Sequence, residues 1–583
     1  MEESMHLGDI NWIPYSTPHA LPLGQGHIHP SATPHAVSAS LPTWASVITW
    51  SEKNKALLDS VEYSYPRFFI CLPLRSLTLR IRERLKISGD EISCLVFPSA
   101  RRARHCVASL ESSSPDPVPE LHDVRFFLPD VADSSEEANP YLTFSVVMLP
   151  TTLKKQAMGV WMDTGAGIST RHAEFCLEHI DYLASDSSTP AFKTPAPAKR
   201  PRDLAASRLF QGGPGDMRDV QTRVAQLATS ARDLKPVRAE DVLVFPTGMN
   251  AIFNTCEALA ALSPESAVVA YGWLYPETVN VLRKSAWERV ISFKWGTEEE
   301  LDKLEALLML HPDRITALFC ELPSNIKFIS PNLARIRELA DRYNIIVACD
   351  ETAGNFINLD ILPYVDVVLS SLTKMFSGAS DVTGGSVVIN PNSRHYGRIR
   401  NQLAIQYQDV CCFPTDVAAL KRNSANMACR VRKANANAMA VVEFLQQQPC
   451  IAQVLHPSRG PTFTFYERHR RREGGYGNVL SVVFRNPDSA RCFYDNLDVC
   501  KGSSFGTNFT LAIPYVQLAC YWTQEKCEKY GLPRHILRIS VGLEDADEIC
   551  GKLALALAEV ERLESVEVGR TGVETDLRTT VAV

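Results

Sequence analysis

Three short stretches hold residues whose types and order could act together on one small molecule. The first is "SSLTK", residues 370–374, where Lys374 follows an apolar run and has Ser371 and Thr373 beside it. A lysine whose charge is lowered by its surroundings forms a Schiff base with an aldehyde, and two neighbouring hydroxyls can hold an anion. The second is "IIVACDE", which sets Asp350 at the end of a run that reads as a buried strand, with Thr352 two residues on. A carboxylate there needs a cationic partner or several hydrogen bonds. The third is "FPTGMN", in which a strand ends at Gly248 and a helix begins, so the N–H groups of Gly248 and Met249 can meet a phosphate at the positive helix end. Taken singly these are a turn glycine, a capping aspartate and a solvated lysine. Their order within one α/β segment matches the needs of pyridoxal phosphate, whose phosphate, ring nitrogen and aldehyde call for these groups in turn.

The elements that must position them alternate regularly. "DVLVFPTG", "AVVAYG", "ITALFCELP", "IIVACDE" and "VDVVLSSLTK" read as short apolar strands, most followed by an amphipathic helix such as "NLARIRELADRY". That alternation predicts a mostly parallel central sheet, with ligand-binding loops beyond the strand carboxyl ends, in a large domain over residues 204–395. Helices and a second set of strands over 396–565 predict a smaller α+β C-terminal domain. Ahead of the large domain, residues 46–184 alternate strand and helix patterns as an extra α/β domain. A Pro/Ala/Ser-rich linker at 185–203 follows it. Residues 1–45 read as an irregular Pro/His-rich arm and 566–583 as a disordered tail.

Composition narrows the class. At 583 residues with 45% hydrophobic and 22% charged content the chain is globular and long enough for several domains. A formal net charge of −6 argues against nucleic acid or an anionic membrane as partner. The basic run "YERHRRREGGYGN" (466–478) reads as a solvated surface loop. Sixteen cysteines without CxxC spacing, and an acidic start without an apolar leader, predict a cytoplasmic protein with reduced thiols. No run is long and apolar enough to cross a bilayer. The histidines of the N-terminal arm (His6, His19, His27, His29, His35) lack ligand spacing, so no metal is expected.

The stretch "SSLTKMFSGASDVTGG", with "TGMNAI", "ELPSN", "CDET" and "LRISVGLED", resembles the Cys/Met-metabolism PLP-dependent enzymes of fold type I. The segments "TPHAVSASLPTW", "YPRFFI" and "DTGAGISTRHAEFCL" resemble the N-terminal extension of the fungal cystathionine γ-synthases within that group. The resemblance implies that Lys374 is the Schiff-base lysine and proton carrier, that Asp350 pairs with the pyridinium nitrogen, and that Gly248, Met249, Ser371 and Thr373 hold the phosphate. It further implies that Tyr275 stacks on the cofactor, that Thr352 lies beside the ring, that Arg538 grips the substrate carboxylate, and that Ser504 lies near it. The implied reaction is γ-replacement, joining L-cysteine to an O-acyl-L-homoserine, O-acetyl in the fungal branch, in a homodimer or homotetramer. A paralogue of specialised metabolism using another nucleophile, or a non-catalytic regulatory homologue, are the alternatives.

Two stretches depart from the family pattern. Bacterial members carry a Tyr-x-Arg motif that reaches the phosphate of a neighbouring subunit, whereas the matching region here is "RLFQGGPGDMRDVQ", where Arg208 or Arg218 could stand in. The Ser-Asn-Pro of the family is "SNIK" at 324–327, which raises the expectation of a changed pocket.

Overall fold

The computed structural model describes residues 18–27, 34–113, 121–128, 140–195, 213–408 and 410–579, with backbone alone beyond 566. Runs rich in Val, Ile and Leu form the strands of three sheets. In the first, β1 (Ile92–Phe97), β2 (His122–Phe127), β3 (Phe144–Pro150) and β4 (Ala184–Ser187) lie in the order β1-β3-β2-β4, all antiparallel. The second holds β5 (Val242–Phe245), β6 (Ala267–Tyr271), β7 (Arg289–Phe293), β8 (Ile315–Glu321), β9 (Ile346–Asp350), β10 (Val367–Ser370) and β11 (Gly385–Ile389). Its order is β5-β11-β10-β9-β8-β6-β7, and only β11 runs against its neighbours. The third sheet, in the order β12-β13-β16-β15-β14, comprises β12 (Ile451–Leu455), β13 (Val479–Phe484), β14 (Cys500–Lys501), β15 (Leu511–Pro514) and β16 (Leu537–Ser540). The fold is therefore the expected α/β arrangement around a mostly parallel sheet. The carboxyl ends of β5, β6, β8, β9 and β10 lie on one edge, where such sheets place their ligands.

Several boundaries differ from the sequence reading. β4 pairs with β2 inside the stretch read as the linker from 185 onward. The helices Tyr396–Tyr407 and Pro414–Asn423 pack on the seven-stranded sheet, not in the C-terminal domain: Ile399 and Leu403 bury against Phe245 and Ile252, while Val417 and Leu420 bury beside Val220 and Val224. Both helices are amphipathic, and amphipathicity does not say which core an apolar stripe faces. The twenty-residue helix Met427–Gln446 joins the two cores, burying Val431 and Ala434 in one and Val441 and Val442 in the other. The helix from Ala546 continues to Thr579, through the stretch read as a disordered tail.

The N-terminal residues are also placed differently. Ala39, Leu41, Trp44, Val47, Trp50 and Phe69 are buried in the core of the C-terminal sheet, so residues 46–71 do not belong to the four-stranded extension sheet. Thr43 and Ser46 form a capping box that starts the helix Trp44–Ser51. The "YERHRRREGGYGN" run is not simply solvated: Tyr466 is buried, and Arg471 donates to the carbonyls of Leu227, Thr229, Phe356 and Leu359. Of the arm's histidines, His27 bonds Ser38 and His35 bonds Thr170, while His6 and His29 lie outside the described residues. Among the described residues no helix is long and apolar enough to cross a membrane.

Candidate active site

The strand ends open on a cavity of about 400 Å³ whose lining includes Gly248, Tyr275, Asp350, Ser371, Lys374 and Arg538. After β5, Thr247 caps the helix Gly248–Ala260 by accepting from the Asn250 N–H at 3.0 Å. The N–H groups of Gly248 and Met249 have no acceptor among the described residues, so two donors at the positive helix end are left for a ligand. A Cβ on Gly248 would stand 2.8 Å from the Ser371 Cβ, so glycine is what lets the helix start and Ser371 border one space. This donor set suits an anion.

Asp350 ends β9 and receives two hydrogen bonds on Oδ1, from the Thr352 N–H at 2.9 Å and the Thr352 hydroxyl at 2.5 Å. The same hydroxyl accepts from the Ser371 N–H at 2.8 Å, so Thr352 ties the acid to the loop bearing the lysine. No cation reaches Asp350 within ion-pair distance among the described residues. Burial raises its pKa, with the Thr352 bonds and Lys374 opposing. Such a buried carboxylate suits a cationic ligand group. Glu321, at the end of β8, is a second buried acid, raised by desolvation and then by Asp350. It accepts from the Tyr275 N–H at 2.5 Å and the Asn325 N–H at 3.1 Å, fixing two residues of the cavity wall. The Tyr275 ring lines the cavity, and its hydroxyl accepts from Arg67.

Lys374 is 8% exposed and its amine donates to Ser504 Oγ at 2.9 Å. Burial holds its pKa well below the usual lysine range, Arg538 and Arg67 push it further down, and Asp350 opposes. The shift favours the neutral form of the amine, the form that can take up a proton. The unfolded chain binds this proton between the depressed folded value and 10.5, where the folded chain does not. This group's contribution to stability is thus lost as pH falls through that window. In cofactor-free protein, Lys374→Met is expected to raise unfolding stability at pH 7 by about 0.5–2 kcal/mol, with the gain shrinking as pH approaches 10. Urea denaturation across pH checks this.

Ser504 also serves the second cation. Its carbonyl accepts from Arg538 Nη2 at 2.7 Å, and Arg538 Nη1 donates to Asn325 Oδ1 at 3.2 Å. The guanidinium lies over the rings of Phe505 and Tyr515, at 5.1 and 4.9 Å. Ser504 adopts φ +82°, and Gly506 two residues on has φ +68°. A Cβ on Gly506 would stand 2.7 Å from Met375 N and 3.0 Å from Lys374 Cβ. Gly506→Ala is therefore expected to destabilise the protein by about 1–3 kcal/mol and to displace the lysine. Denaturation together with turnover of the folded fraction would show it.

Thr373 is the predicted residue not found lining the cavity; its hydroxyl bonds the backbone of Gly384. Arg218 faces Glu240 at 3.5 Å and is not among the cavity residues, and Arg208 lies outside the described residues. Of "SNIK", Asn325 faces the cavity while Lys327 donates to the Tyr530 carbonyl at 2.6 Å and is not part of the lining. Sequence reasoning missed Tyr65 and Arg67. The loop "YSYPRFF" carries both into the cavity from far up the chain, held by Phe69 against Trp50 with ring centroids 5.6 Å apart. Tyr65 OH lies 3.4 Å from Lys374 Nζ. The Tyr-x-Arg order of Tyr65-Pro66-Arg67 was the available signal. It stands in a segment where the family pattern does not place it.

Residues 222–558 match the family described as Cys/Met metabolism PLP-dependent enzyme, and residues 73–169 match the fungal trans-sulfuration enzyme N-terminal domain. A cystathionine gamma-synthase-like protein, ankD, of Aspergillus thermomutatus is 41% identical over 95% of this chain and 97% of its own. The cystathionine gamma-synthase of Neurospora crassa is 32% identical over 93% of this chain and 99% of its own. Among solved structures, the cystathionine gamma synthase of Xanthomonas oryzae pv. oryzae with aminoacrylate and cysteine matches with TM-score 0.52 and 22% identity. That match covers 64% of this chain and 95% of the other, a likeness of fold. With its strand-end acid, buried lysine and helix-end cradle in the matched region, the chain belongs to the Cys/Met-metabolism family of PLP-dependent enzymes, in the branch that carries the fungal trans-sulfuration N-terminal domain.

Proposed function

We propose that the protein catalyses γ-replacement on an O-acylated L-homoserine, O-acetyl in the first instance, with L-cysteine as the incoming thiol and L-cystathionine as product. The observation that supports it most is the Lys374–Ser504–Arg538 linkage: one serine holds both the proton-carrying amine and the guanidinium suited to an α-carboxylate. Pyridoxal phosphate, when bound, supplies an aldehyde for the substrate amine and a ring that takes up the electron pair left at Cα.

The chain's own residues do the rest. Arg538 and Asn325 offer donors to the substrate carboxylate, fixing Cα near Lys374. Lys374 takes the Cα proton, would pass it to the carbon that the cofactor aldehyde contributes and, neutral again, takes one from Cβ, which permits the acyloxy group to leave Cγ as carboxylate. The cysteine thiolate adds at the same carbon, and Lys374 returns the protons to Cβ and Cα. Asp350, oriented by Thr352, would pair with the ring nitrogen and favour its protonated form, and Glu321 holds Tyr275 and Asn325 in place. Exchange in D2O tests this step order. A γ-active enzyme exchanges hydrogen at both Cα and Cβ of an unreactive amino acid such as L-norvaline, whereas exchange at Cα alone, or none, contradicts the reading.

A second reading keeps this chemistry but changes the nucleophile. It is favoured by the 41% identity to a protein named only as cystathionine gamma-synthase-like, against 32% to the named Neurospora synthase. In either reading the protein acts as a homodimer or homotetramer.

A further inference from the structure

Arg67 is 4% exposed and its hydrogen-bond partners are neutral, Nη1 donating to the Met162 carbonyl at 3.0 Å and Nη2 to the Tyr275 hydroxyl, while the cavity carboxylates Glu277 and Asp163 act on it from beyond ion-pair distance. Its guanidinium lies 4.0 Å from the centroid of the Phe68 ring. No carboxylate among the described residues comes within ion-pair distance of it. With those carboxylates only at a distance, the buried guanidinium keeps its direct pairing positions for a bound anion. Arg538 is a second such cation in the same cavity, 4% exposed and likewise without a carboxylate partner among the described residues. Two guanidiniums without a direct ion pair among the described residues can each take an anion, and the cofactor–substrate pair brings two: a phosphate and an α-carboxylate.

Their anchors assign them. Arg538 is held by Ser504 and Asn325, on the side of the lysine's hydroxyl partner. Arg67 is held by Met162, and the turn just after Met162 abuts the helix that offers free N–H groups. Thr247 Oγ1 donates to the Gly165 carbonyl at 3.2 Å, and Asn250 Nδ2 donates to the Thr164 carbonyl at 2.9 Å. A Cβ on Gly165 would strike Thr247 Oγ1 and Asn250 N, so the extension sits directly on that helix start. Tyr65, two residues before Arg67, places its hydroxyl beside Lys374 and Thr373.

We propose that Arg67, with Tyr65 beside it, is the anion clamp for the cofactor phosphate, and that the N-terminal segment supplies it to the active site of its own chain. The site then borrows no phosphate ligand from a neighbouring subunit. This rests on pyridoxal phosphate as cofactor and is independent of which nucleophile the enzyme uses.

The test is binding to full-length cofactor-free protein, followed by intrinsic fluorescence, with pyridoxal phosphate and with pyridoxal, which lacks the phosphate. Arg67→Ala is expected to weaken pyridoxal phosphate by about 30-fold or more and pyridoxal by less than about threefold, with Arg67→Lys in between. Equal weakening of both ligands, or unchanged affinity for pyridoxal phosphate, overturns the clamp. Should Arg67→Ala not fold, competition by inorganic phosphate in Arg67→Lys against the unaltered protein gives the same decision: the clamp requires weaker competition in the variant. The origin of the clamp is read by co-expressing Arg67→Ala and Lys374→Ala chains and purifying mixed oligomers. A clamp from the same chain leaves both kinds of site defective, so hydrogen exchange on an amino acid stays at the level of the separate variants. Recovery of a substantial fraction of unaltered activity shows that the segment crosses to a neighbour and overturns this part.

Discussion

Lys374→Ala is expected to lower turnover by about 10⁴-fold while the protein still folds and still takes up pyridoxal phosphate without a covalent bond. A positioned acid–base group contributes roughly 10²- to 10⁴-fold, and this amine moves protons at two carbons, which places the loss at the upper end. No neighbour can replace it. Tyr65 is near enough, at 3.4 Å, but burial raises its pKa, so its phenol stays protonated and is not available as the base. The helix-end donors and Ser371 remain in place for the phosphate, so cofactor retention should survive. Absorbance of the covalently held cofactor should vanish in the variant, and added methylamine should restore part of the exchange activity. Persistence of the covalent band in Lys374→Ala would falsify the assignment.

The second large effect is expected at Arg538. Replacement by alanine removes a buried guanidinium whose two neighbours, Ser504 and Asn325, position it, and should lower kcat/KM by about 10²- to 10³-fold. Arg538→Lys should recover little, since an ammonium lacks the planar fork and the stacking on Phe505 and Tyr515. A substrate analogue in which the carboxylate is reduced to an alcohol separates carboxylate binding from general damage. The variant should lose far less with the analogue than with the acid. Equal losses would mean that Arg538 acts on the site's architecture and not on the carboxylate.

The central sheet and its strand-end residues were legible because each depends on a short stretch of chain. β9 and Asp350, β10 and Lys374, and the helix start at Gly248 are each a local pattern of apolar run, turn and polar group. The Asp350–Thr352–Ser371 bridge could have been guessed from "CDET" and "SSLTK" together, but its use of one hydroxyl for both partners is a matter of register between β9 and β10. Tyr65 and Arg67 were not legible as site residues. Nothing local to "YSYPRFF" says that Phe69 packs on Trp50 in the core of the C-terminal sheet, and that docking is what swings the loop into the cavity. The helices Tyr396–Tyr407 and Pro414–Asn423 failed for the same reason, their partners being remote in sequence. Glu321 stands within "ELPSN", but nothing local marks it as a site acid, because it holds backbone N–H groups that only the fold brings to it.

The most direct measurement is mass-spectrometric product analysis of purified, cofactor-loaded protein given O-acetyl-L-homoserine with and without L-cysteine. The account predicts cystathionine and acetate in the presence of cysteine, and no cystathionine in its absence. Formation of 2-oxobutanoate and ammonia at the same rate whether or not cysteine is present would contradict L-cysteine as the partner and transfer the claim to another nucleophile. No consumption of O-acetyl-L-homoserine under either condition would contradict γ-replacement on this substrate.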